Sequence, residues 1–290
     1  MDVVDALLRL GGVSSHRALV AATSRWHVRA AVSAGRIERL GYDTYALAGH
    51  DDAIAHARRL SGVLGELSAA RHWEWATWRA PRRPTVVVPA KRRVARERRA
   101  GVRVLWRDAE IDGIATAPTQ TVLDCARSLP FPEALAVADS ALRSGLVGRH
   151  ELIDAATRLP RPGRARRVAA LADPRAANPF ESVIRAHALD VPGLHLVPQV
   201  SVIGYGDGDL VDVRRRLIVE CDGFRWHSSR AALINDIERY NRAAQIDATV
   251  IRFAYEHAQN GPFVQRVLTD WVTRPPSRQE VLPHSGDLAA

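Results

Sequence analysis

The first 49 residues combine three segments of helical periodicity with two short β-like segments. Apolar residues recur at three- and four-residue spacing in the helical segments, whose ends are marked by Gly11, Gly12 and Gly35 and whose starts follow serine or threonine caps. The β-like segments, residues 36–40 and 44–47, are joined by a turn. Three helices followed by a hairpin is the order of a winged helix, and we predict that fold for residues 1–49.

Residues 50–175 mix helical and strand patterns and predict an α+β middle domain. A long helix is predicted over residues 51–71, followed by short strands at 85–89, 102–106 and 111–114. Helices are predicted at 119–127, 132–144 and 151–158. Residues 158–167 contain Pro160, Pro162 and Gly163 and are interpreted as a linker.

Residues 176–274 predict a third domain, in which a helix precedes a hairpin of strands and then a helix, a strand and a last helix. Asn178 caps the first helix, with Pro179 at its first position. Strands are predicted at 196–203, 209–213, 217–221 and 249–253, and a helix at 229–245. The prolines and the absence of periodicity in residues 275–290 predict a disordered tail. The fold class is therefore mixed α+β.

The composition is that of a folded protein, since 47% of the 290 residues are hydrophobic and 25% are charged. No run of 18 apolar residues is present to cross a membrane, so no membrane partner is expected. The N-terminus has neither the basic start nor the apolar run of a signal peptide, and we expect a cytoplasmic protein. Cys125 and Cys221 lie in apolar runs and are interpreted as small buried residues.

The charge is unevenly distributed along the chain. Residues 1–175 hold 29 basic and 18 acidic side chains, whereas residues 176–290 hold 12 basic and 14 acidic ones. A net charge of +9 suits a polyanionic partner, and we expect DNA; the alternative is a solvated surface. Six basic residues fall within residues 91–99, which predict a loop that either contacts the DNA backbone or is simply solvated.

The third predicted helix supplies the candidate DNA-reading side chains. In a winged helix this helix enters the major groove, and it would carry Arg25, His27 and Arg29 towards the bases. The alternative is a small packing module that does not touch DNA. This segment resembles the N-terminal domain of AbiE-type antitoxins of type IV toxin–antitoxin systems. The matching positions are Gly11, Gly12, Val13, Val32, Ser33, Gly35, Arg36, Tyr45, Ala46 and Leu47. Residues 50–175 resemble the second domain of the same proteins. The resemblance implies a DNA-binding protein and raises the possibility of a partner toxin.

Acidic residues converge at the predicted strand ends of the third domain. Asp212 ends one strand, and Glu220 and Asp222 end the next, so the hairpin is expected to bring Asp212 opposite Glu220. Glu181, on the preceding helix, can approach them. Carboxylates this close repel each other unless a cation neutralises them, and hard oxygen ligands select Mg²⁺ or Mn²⁺. Such a cluster suits metal-assisted phosphodiester hydrolysis.

Five motifs in this domain resemble the very short patch repair endonucleases, a branch of the restriction-endonuclease-like nucleases. They are Glu181-Ser182-Val183-Ile184-Arg185, Val211-Asp212-Val213, Glu220-Cys221-Asp222-Gly223 with Phe224, Trp226 and His227, Asp236-Ile237-Glu238-Arg239, and Val250-Ile251-Arg252-Phe253. The resemblance implies a restriction-endonuclease-like αβ sandwich.

The same resemblance implies roles for individual residues. Asp212 would be the central metal ligand and Glu220 the second. The carbonyl of Cys221 would be a third ligand, and Glu181 would bind or orient a metal-bound water. His227 would act as general base or orient the phosphate.

One position departs from the pattern of the superfamily. Asp222 stands where those nucleases have a lysine, and Lys91 is the only lysine of this chain. His227 or Arg225 could supply the missing positive charge. Arg225, Arg239 and Arg252 are also candidate DNA contacts, although Arg239 could instead pair with Asp236, and Arg252 could form a structural ion pair.

Three hypotheses follow from these observations. The first is a metal-dependent endonuclease with a DNA-binding N-terminal half, and a repair protein is then a conceivable partner. The second is an antitoxin-like transcriptional regulator whose nuclease fold is degenerate. The third is a relic of that fold that binds a partner protein. Cleavage that depends on metal favours the first, and sequence-specific binding without metal favours the second.

Overall fold

The computed structural model describes residues 2–9, 13–41, 44–47, 52–222 and 230–274. The chain divides into two compact units, Met1–Ser182 and Val183–Ala290. Both mix helices with a sheet, so the fold is mixed α/β as predicted. The predicted tail, residues 275–290, lies outside the described residues.

The N-terminal module has the element order predicted for a winged helix, with one additional strand. Its elements are α1 (Val3–Arg9), β1 (Val13–Ser15), α2 (His16–Ala22), α3 (Arg25–Ser33), β2 (Ile37–Gly41) and β3 (Thr44–Leu47). The strands form an antiparallel sheet in the order β1-β3-β2. Ser15 and Ser24 cap α2 and α3, since each hydroxyl accepts the backbone N–H three residues on. Leu7, Leu19 and Val28 are buried between the helices.

The middle of the first unit begins with a five-stranded mixed sheet. Its elements are α4 (Asp52–Leu60), β4 (Val63–Leu64), α5 (Glu66–His72), β5 (Thr85–Val88), a 3₁₀ turn (Arg96–Arg99), β6 (Arg103–Trp106), β7 (Ile111–Asp112) and β8 (Ala115–Thr116). The strand order is β6-β5-β4-β8-β7. The prediction of one helix over residues 51–71 is wrong, because the chain leaves the helix at Gly62 to pair β4 with β5.

Four helices complete the first unit: α6 (Pro118–Ser128), α7 (Phe131–Ser144), α8 (Arg149–Thr157) and α9 (Gly163–Leu171). The prediction that residues 158–167 form a linker is wrong in its second half. Pro162 stands at the N-cap of α9, where a missing N–H costs no helical hydrogen bond. Ala165, Val168 and Ala169 are buried, so tertiary packing holds these residues in a helix.

The second unit is built around a four-stranded sheet. Its strands are β9 (Val197–Val202), β10 (Gly206–Asp212), β11 (Leu217–Asp222) and β12 (Thr249–Ala254), and its helices are α11 (Arg230–Gln245), α12 (Tyr255–Ala258) and α13 (Gly261–Thr273). Helix α10 (Pro179–Ala188) begins before the division between the units and ends after it. The sheet order is β12-β11-β10-β9, with β11 parallel to β12 and the other pairs antiparallel.

Helix α11 covers one face of this sheet. Ala243 of the helix and Ile246, which follows its last residue, pack against Val211, Ile218 and Val250 of three neighbouring strands. Glu220 and Asp222 lie two and four positions after Ile218 on β11, so their side chains are on the same face as Ile218 and face α11. Among the described helices of the chain, none is long and apolar enough to cross a membrane.

Candidate functional site

The register of the β10–β11 hairpin decides which acidic residues meet. Asp212 is paired with Leu217, and Leu210 with Val219. Continued by one position, this register places Asp209 across from Glu220. The prediction that Asp212 lies opposite Glu220 is therefore wrong: the two residues are three positions apart along the ladder, and their side chains alternate to opposite faces of the sheet.

The carboxylate of Asp212 holds the turn that closes the hairpin. Its side chain is buried, and its Oδ2 accepts the backbone N–H of His195 at 2.8 Å. Its Oδ1 accepts the backbone N–H of Arg215 at 3.1 Å. Both oxygens are thus engaged by backbone donors, which accounts for an aspartate at this strand end without a metal ion.

Glu220 is the most perturbed acid of the second unit among the described residues. It is 6% exposed, and its Oε1 accepts hydrogen bonds from the Tyr205 hydroxyl at 2.7 Å and from the Arg239 guanidinium at 2.9 Å. Burial, together with the charge of Asp209, raises the pKa of Glu220 to about 7, against the opposing effects of Tyr205 and Arg239. The site therefore disfavours the negative charge that Glu220 carries in water.

Asp209 is the acid that sequence reasoning missed. It is half-buried, and its Oδ2 accepts the backbone N–H of Cys221 at 2.8 Å. Its Oδ1 accepts from the amide of Gln199 on β9 at 3.4 Å. The length of the turn was the available signal, because a four-residue turn that pairs residue 212 with residue 217 also pairs residue 209 with residue 220.

Two arginines enter this face of the sheet, and both were predicted as DNA contacts. Arg239 of α11 lies over the ring of Tyr205 at 4.5 Å and pairs with Glu220. Arg252 of β12 donates to both carboxylate oxygens of Asp222, at 2.5 and 2.8 Å, and lies 4.9 Å from the ring centroid of Tyr240. The pKa of Arg252 is raised by the Asp222 carboxylate. Glu220 and Asp222 thus each have a cation beside them.

Glu181 caps the helix on which it lies. It is buried, and its carboxylate accepts from the backbone N–H of Ala177 at 2.8 Å and from the side-chain amide of Asn178 at 2.6 Å. Asn178 in turn accepts the backbone N–H of Glu181, which makes a reciprocal cap at the start of α10. The role predicted for Glu181 in orienting water stays a prediction, as does the ligand role of the Cys221 carbonyl.

The acid pair lies near the carboxyl ends of the parallel strands β11 and β12, which is where ligands bind in open sheets with parallel strands. Residues 223–229 follow Asp222 directly, and the predicted residues Arg225 and His227 lie in this segment, outside the described residues. We refer to Asp209, Glu220, Asp222, Arg239 and Arg252 as the carboxylate–arginine cluster.

Two carboxylates alone could hold a magnesium ion but are too few for a structural zinc site. Within the described ranges no three His, Cys, Asp or Glu residues are grouped closely enough to hold a metal ion. Mg²⁺ needs fewer protein ligands, because it keeps several waters and is commonly bound by one or two carboxylates together with substrate phosphates. Asp209 and Glu220 supply such a pair.

The candidate DNA-reading residues are presented together on α3. Arg25, His27 and Arg29 are all exposed, and the ring of Trp26 between them is 72% exposed. The Nδ1 of His27 lies 2.7 Å from the Ser24 hydroxyl, which orients the ring at the start of the helix. Beside them, His16, Arg29, Arg39 and Tyr45 line a groove between α3 and the sheet.

Comparison with known proteins places similar sequences in mycobacteria. No family model matches the chain. "Uncharacterized protein MT2308" of Mycobacterium tuberculosis strain CDC 1551 and "Uncharacterized protein Rv2248" of strain H37Rv are each 31% identical to it over 160 residues. The matches cover 51% of this chain and 58% of each relative, so the chain spans less than two thirds of the length of these relatives. A crystal structure of the RV2827C protein from M. tuberculosis is similar with a TM-score of 0.33 and 17% identity, over 69% of this chain and 83% of that one.

Proposed function

We propose that the protein binds DNA and hydrolyses its phosphodiester bonds with a divalent metal ion, Mg²⁺ or Mn²⁺, held by Asp209 and Glu220. The observation that carries this proposal is the acid pair across β10 and β11, in which Glu220 is buried and its pKa is raised to about 7. Strongly perturbed carboxylates cluster at functional sites. Asp209 takes the place that the sequence interpretation had given to Asp212.

The chain's own residues prepare the site for a negatively charged substrate. Tyr205 and Arg239 hold one oxygen of Glu220, so the carboxylate has a fixed direction. A bound Mg²⁺ would supply charge neutralisation, an activated water and stabilisation of the leaving oxygen. Arg252 lies at the end of the neighbouring strand, where its planar guanidinium could orient a phosphate.

The role of His227 remains as the resemblance implies, a general base or a phosphate-orienting group. It follows Asp222, the last residue of β11, by five positions in the sequence. Histidine is the side chain most often used as a general base.

Binding to DNA is assigned to the first unit. Exposed Arg25, His27 and Arg29 on α3 suit insertion into a major groove, and residues 1–175 carry most of the excess positive charge. The C-terminal residues 176–290 have more acids than bases, so they would rely on the first unit for affinity.

The test is cleavage of labelled duplex, mismatched and single-stranded DNA with Mg²⁺ or Mn²⁺. We expect metal-dependent cutting by the wild type and a loss of at least about a hundredfold in Asp209→Asn and Glu220→Gln, because each removes a metal ligand. Asp212→Asn is the matched control: it changes the same residue type three positions further along β10 and should keep cutting. This substitution should lower the free energy of unfolding by about 1 to 2 kcal/mol, because one backbone N–H loses its acceptor.

Calorimetric titration with Mn²⁺ separates binding from catalysis. The wild type and Asp212→Asn should bind the ion, and the two site variants should not. Cutting that disappears in Asp212→Asn but survives in Asp209→Asn would contradict the assignment of the acid pair.

One observation favours the antitoxin-like regulator as a second candidate. Glu220 and Asp222 are each paired with an arginine, so the described carboxylate–arginine cluster is largely neutralised without a metal ion. A degenerate site that keeps only its structural ion pairs would have this appearance. Sequence-specific binding of duplex DNA in EDTA, with no cleavage and no Mn²⁺ binding under any condition, would support this candidate over the nuclease.

A further inference from the structure

Residues 91–99, which we call the basic loop, connect β5 and β6 in the first unit. They contain six cationic side chains and one acid, Glu97. All of these charged side chains are exposed. Exposed surfaces usually interleave charges of both signs. The cations of this loop repel each other, and a bound polyanion would reduce that repulsion.

The backbone of the basic loop is anchored at several points. The indole N–H of Trp106, at the end of β6, donates to the carbonyl of Arg92 at 2.9 Å. Val94 packs against the core of the first unit. Arg59 of α4 donates to the carbonyl of Ala100 at 3.2 Å, and Arg98 donates to the carbonyl of Arg59. These anchors hold the loop in one conformation.

The anchors use only part of the positive charge. Arg98 is engaged with α4, and Arg99 lies over the Trp106 ring at 5.3 Å. In the part of the chain that the structure describes, the side chains of Lys91, Arg92, Arg93 and Arg96 make no hydrogen bond or ion pair and point into solvent. Because the backbone of the loop is already anchored, binding would order these side chains at little further cost in backbone entropy.

The basic loop belongs to the same compact unit as the winged-helix module. Helix α4 contacts the 3₁₀ turn of the loop, and it also contacts β1 and β3 of the N-terminal sheet. One helix therefore packs against both the basic loop and the N-terminal sheet.

We infer that the basic loop is a second DNA-binding surface, which contacts the phosphate backbone of duplex DNA without reading its sequence. This inference deepens the DNA-binding part of the proposed function and does not depend on the nuclease. Phosphate fits the chemistry, because arginine presents a planar fork of donors to its oxygens. Contacts of this kind add affinity and salt dependence in proportion to the number of cations that meet phosphates.

The test uses the full chain in EDTA, where no metal-dependent cleavage can interfere, and a fluorescein-labelled duplex of about two helical turns. The triple variant Arg92→Ala/Arg93→Ala/Arg96→Ala should bind at least about tenfold more weakly at 0.1 M salt. The slope of log affinity against log salt should fall by about 2 to 3, because each lost phosphate contact removes about 0.9. The loss should be equal for unrelated duplex sequences.

The matched control is Arg158→Ala/Arg161→Ala/Arg166→Ala, which removes the same charge from exposed positions around α8 and α9 of the same unit. It should keep the wild-type slope. Arg92→Lys/Arg93→Lys/Arg96→Lys keeps the charge and should retain most of the affinity. Circular dichroism and thermal unfolding confirm that each variant is folded.

The fluorescence of Trp106 reports on DNA binding at the basic loop itself. Its side chain is 41% exposed, so DNA at this surface should quench its emission. Trp106→Phe should lose that part of the quenching, whereas Trp26→Phe should lose only the part that arises on α3.

Three results would overturn the inference: equal slopes for the loop variant and its control, quenching that is unchanged in Trp106→Phe, or binding of vesicles with 30% anionic lipid in preference to DNA. The failure of the proposed nuclease is distinguishable from these results, because a protein that does not cut in Mg²⁺ can still show the effect of the loop variant on binding. If Arg25→Ala/Arg29→Ala loses binding and the loop variant does not, the inference about the loop is wrong and α3 is the DNA-binding surface.

Discussion

Glu220 is held in an environment that opposes its own ionisation. Its burial and the facing Asp209 raise its pKa, and the Tyr205 hydroxyl and Arg239 offset only part of that effect. Sites that keep such an imbalance are typically functional, because a purely structural position would be more stable with a neutral residue. By contrast Cys125, which is fully buried and has a thiol pKa raised by burial, is packed in the core as the sequence predicted for a small apolar residue.

The raised pKa of Glu220 predicts how the metal-free protein responds to pH. Between its ordinary value of 4.5 and about 7 the folded state holds a proton that the unfolded state has released. Stability should therefore fall as the pH rises through this interval, by about 3 kcal/mol from this group, and remain reduced above pH 7. Glu220→Gln, which has no charge to lose, should lack this component.

Urea unfolding of both proteins in EDTA at pH 5 and pH 8 measures the difference. Asp222→Asn serves as control, because it removes a neighbouring carboxylate from the same face of the sheet and leaves Glu220 in place. An identical decline in the wild type and in Glu220→Gln would refute the assignment.

At the scale of elements, short strands and tight turns determine the site. The turn at residues 213–216 is closed by Asp212, and its length sets the register that brings Asp209 opposite Glu220. A register shifted by one residue would move every acid of the hairpin to the other face of the sheet. Asp212 is thus important to the site through the register, as a residue that stabilises the turn.

The break between α4 and β4 depends on Gly62. A Cβ atom at this position would lie 2.4 Å from the backbone oxygen of Val87 and 2.8 Å from a methyl group of Val86. Backbone atoms of a paired strand cannot yield, so Gly62→Ala should destabilise the first unit by roughly 1 to 3 kcal/mol.

Gly163→Ala is the matched substitution, since a Cβ there meets nothing within 4 Å and the residue is the first of α9. It should be neutral or stabilise by up to about 1 kcal/mol, because alanine has the higher helix propensity. Thermal unfolding compares the two variants. Equal stability would mean that β4 can separate from β5 without cost.

At the scale of the whole molecule, charge and chemistry are divided along the chain. Residues 1–175 have a net charge of +11 and residues 176–290 of −2, while the acid pair lies in the second unit. A negatively charged surface around a nuclease site would repel DNA unless another part of the chain supplied attraction. The distribution therefore suits a protein in which one unit binds and the other acts.

This division predicts that binding and cleavage can be lost separately. In EDTA, Arg25→Ala/Arg29→Ala should weaken binding of duplex DNA by about 1 to 3 kcal/mol, because contacts to bases and phosphates disappear. Asp209→Asn and Glu220→Gln should bind DNA as the wild type does, with the same dependence on salt. Fluorescence anisotropy from 50 to 300 mM salt makes the comparison. An equal loss of DNA affinity in both groups of variants would show that binding and cleavage are not divided between the two units.

Local signals were sufficient for most elements. The caps at Ser15, Ser24 and Asn178 and the periodicity around them predicted the helices that follow, since these depend on neighbouring residues only. The alternation of Ile218, Glu220 and Asp222 placed the acids on one face of β11. Local signals failed at residues 61–65 and 163–167, where pairing with β5 and burial of α9 decided the structure.

Glu220 and Asp222 of the carboxylate–arginine cluster were predicted as site residues, whereas Asp209 and the contacts of the two arginines came only from the fold. Glu220 was found because it stands at a strand end in an acidic motif. Asp209, Arg239 and Arg252 meet it through the register of the hairpin, the packing of α11 on the sheet and the parallel pairing of β12. Contacts between residues near in sequence can be predicted from their spacing along a helix or strand. These contacts join residues 11 to 32 positions apart and depend on how whole elements pack. For this reason the sequence by itself determined the charge distribution and most of the order of elements, and the tertiary structure decided which side chains lie together at the candidate site.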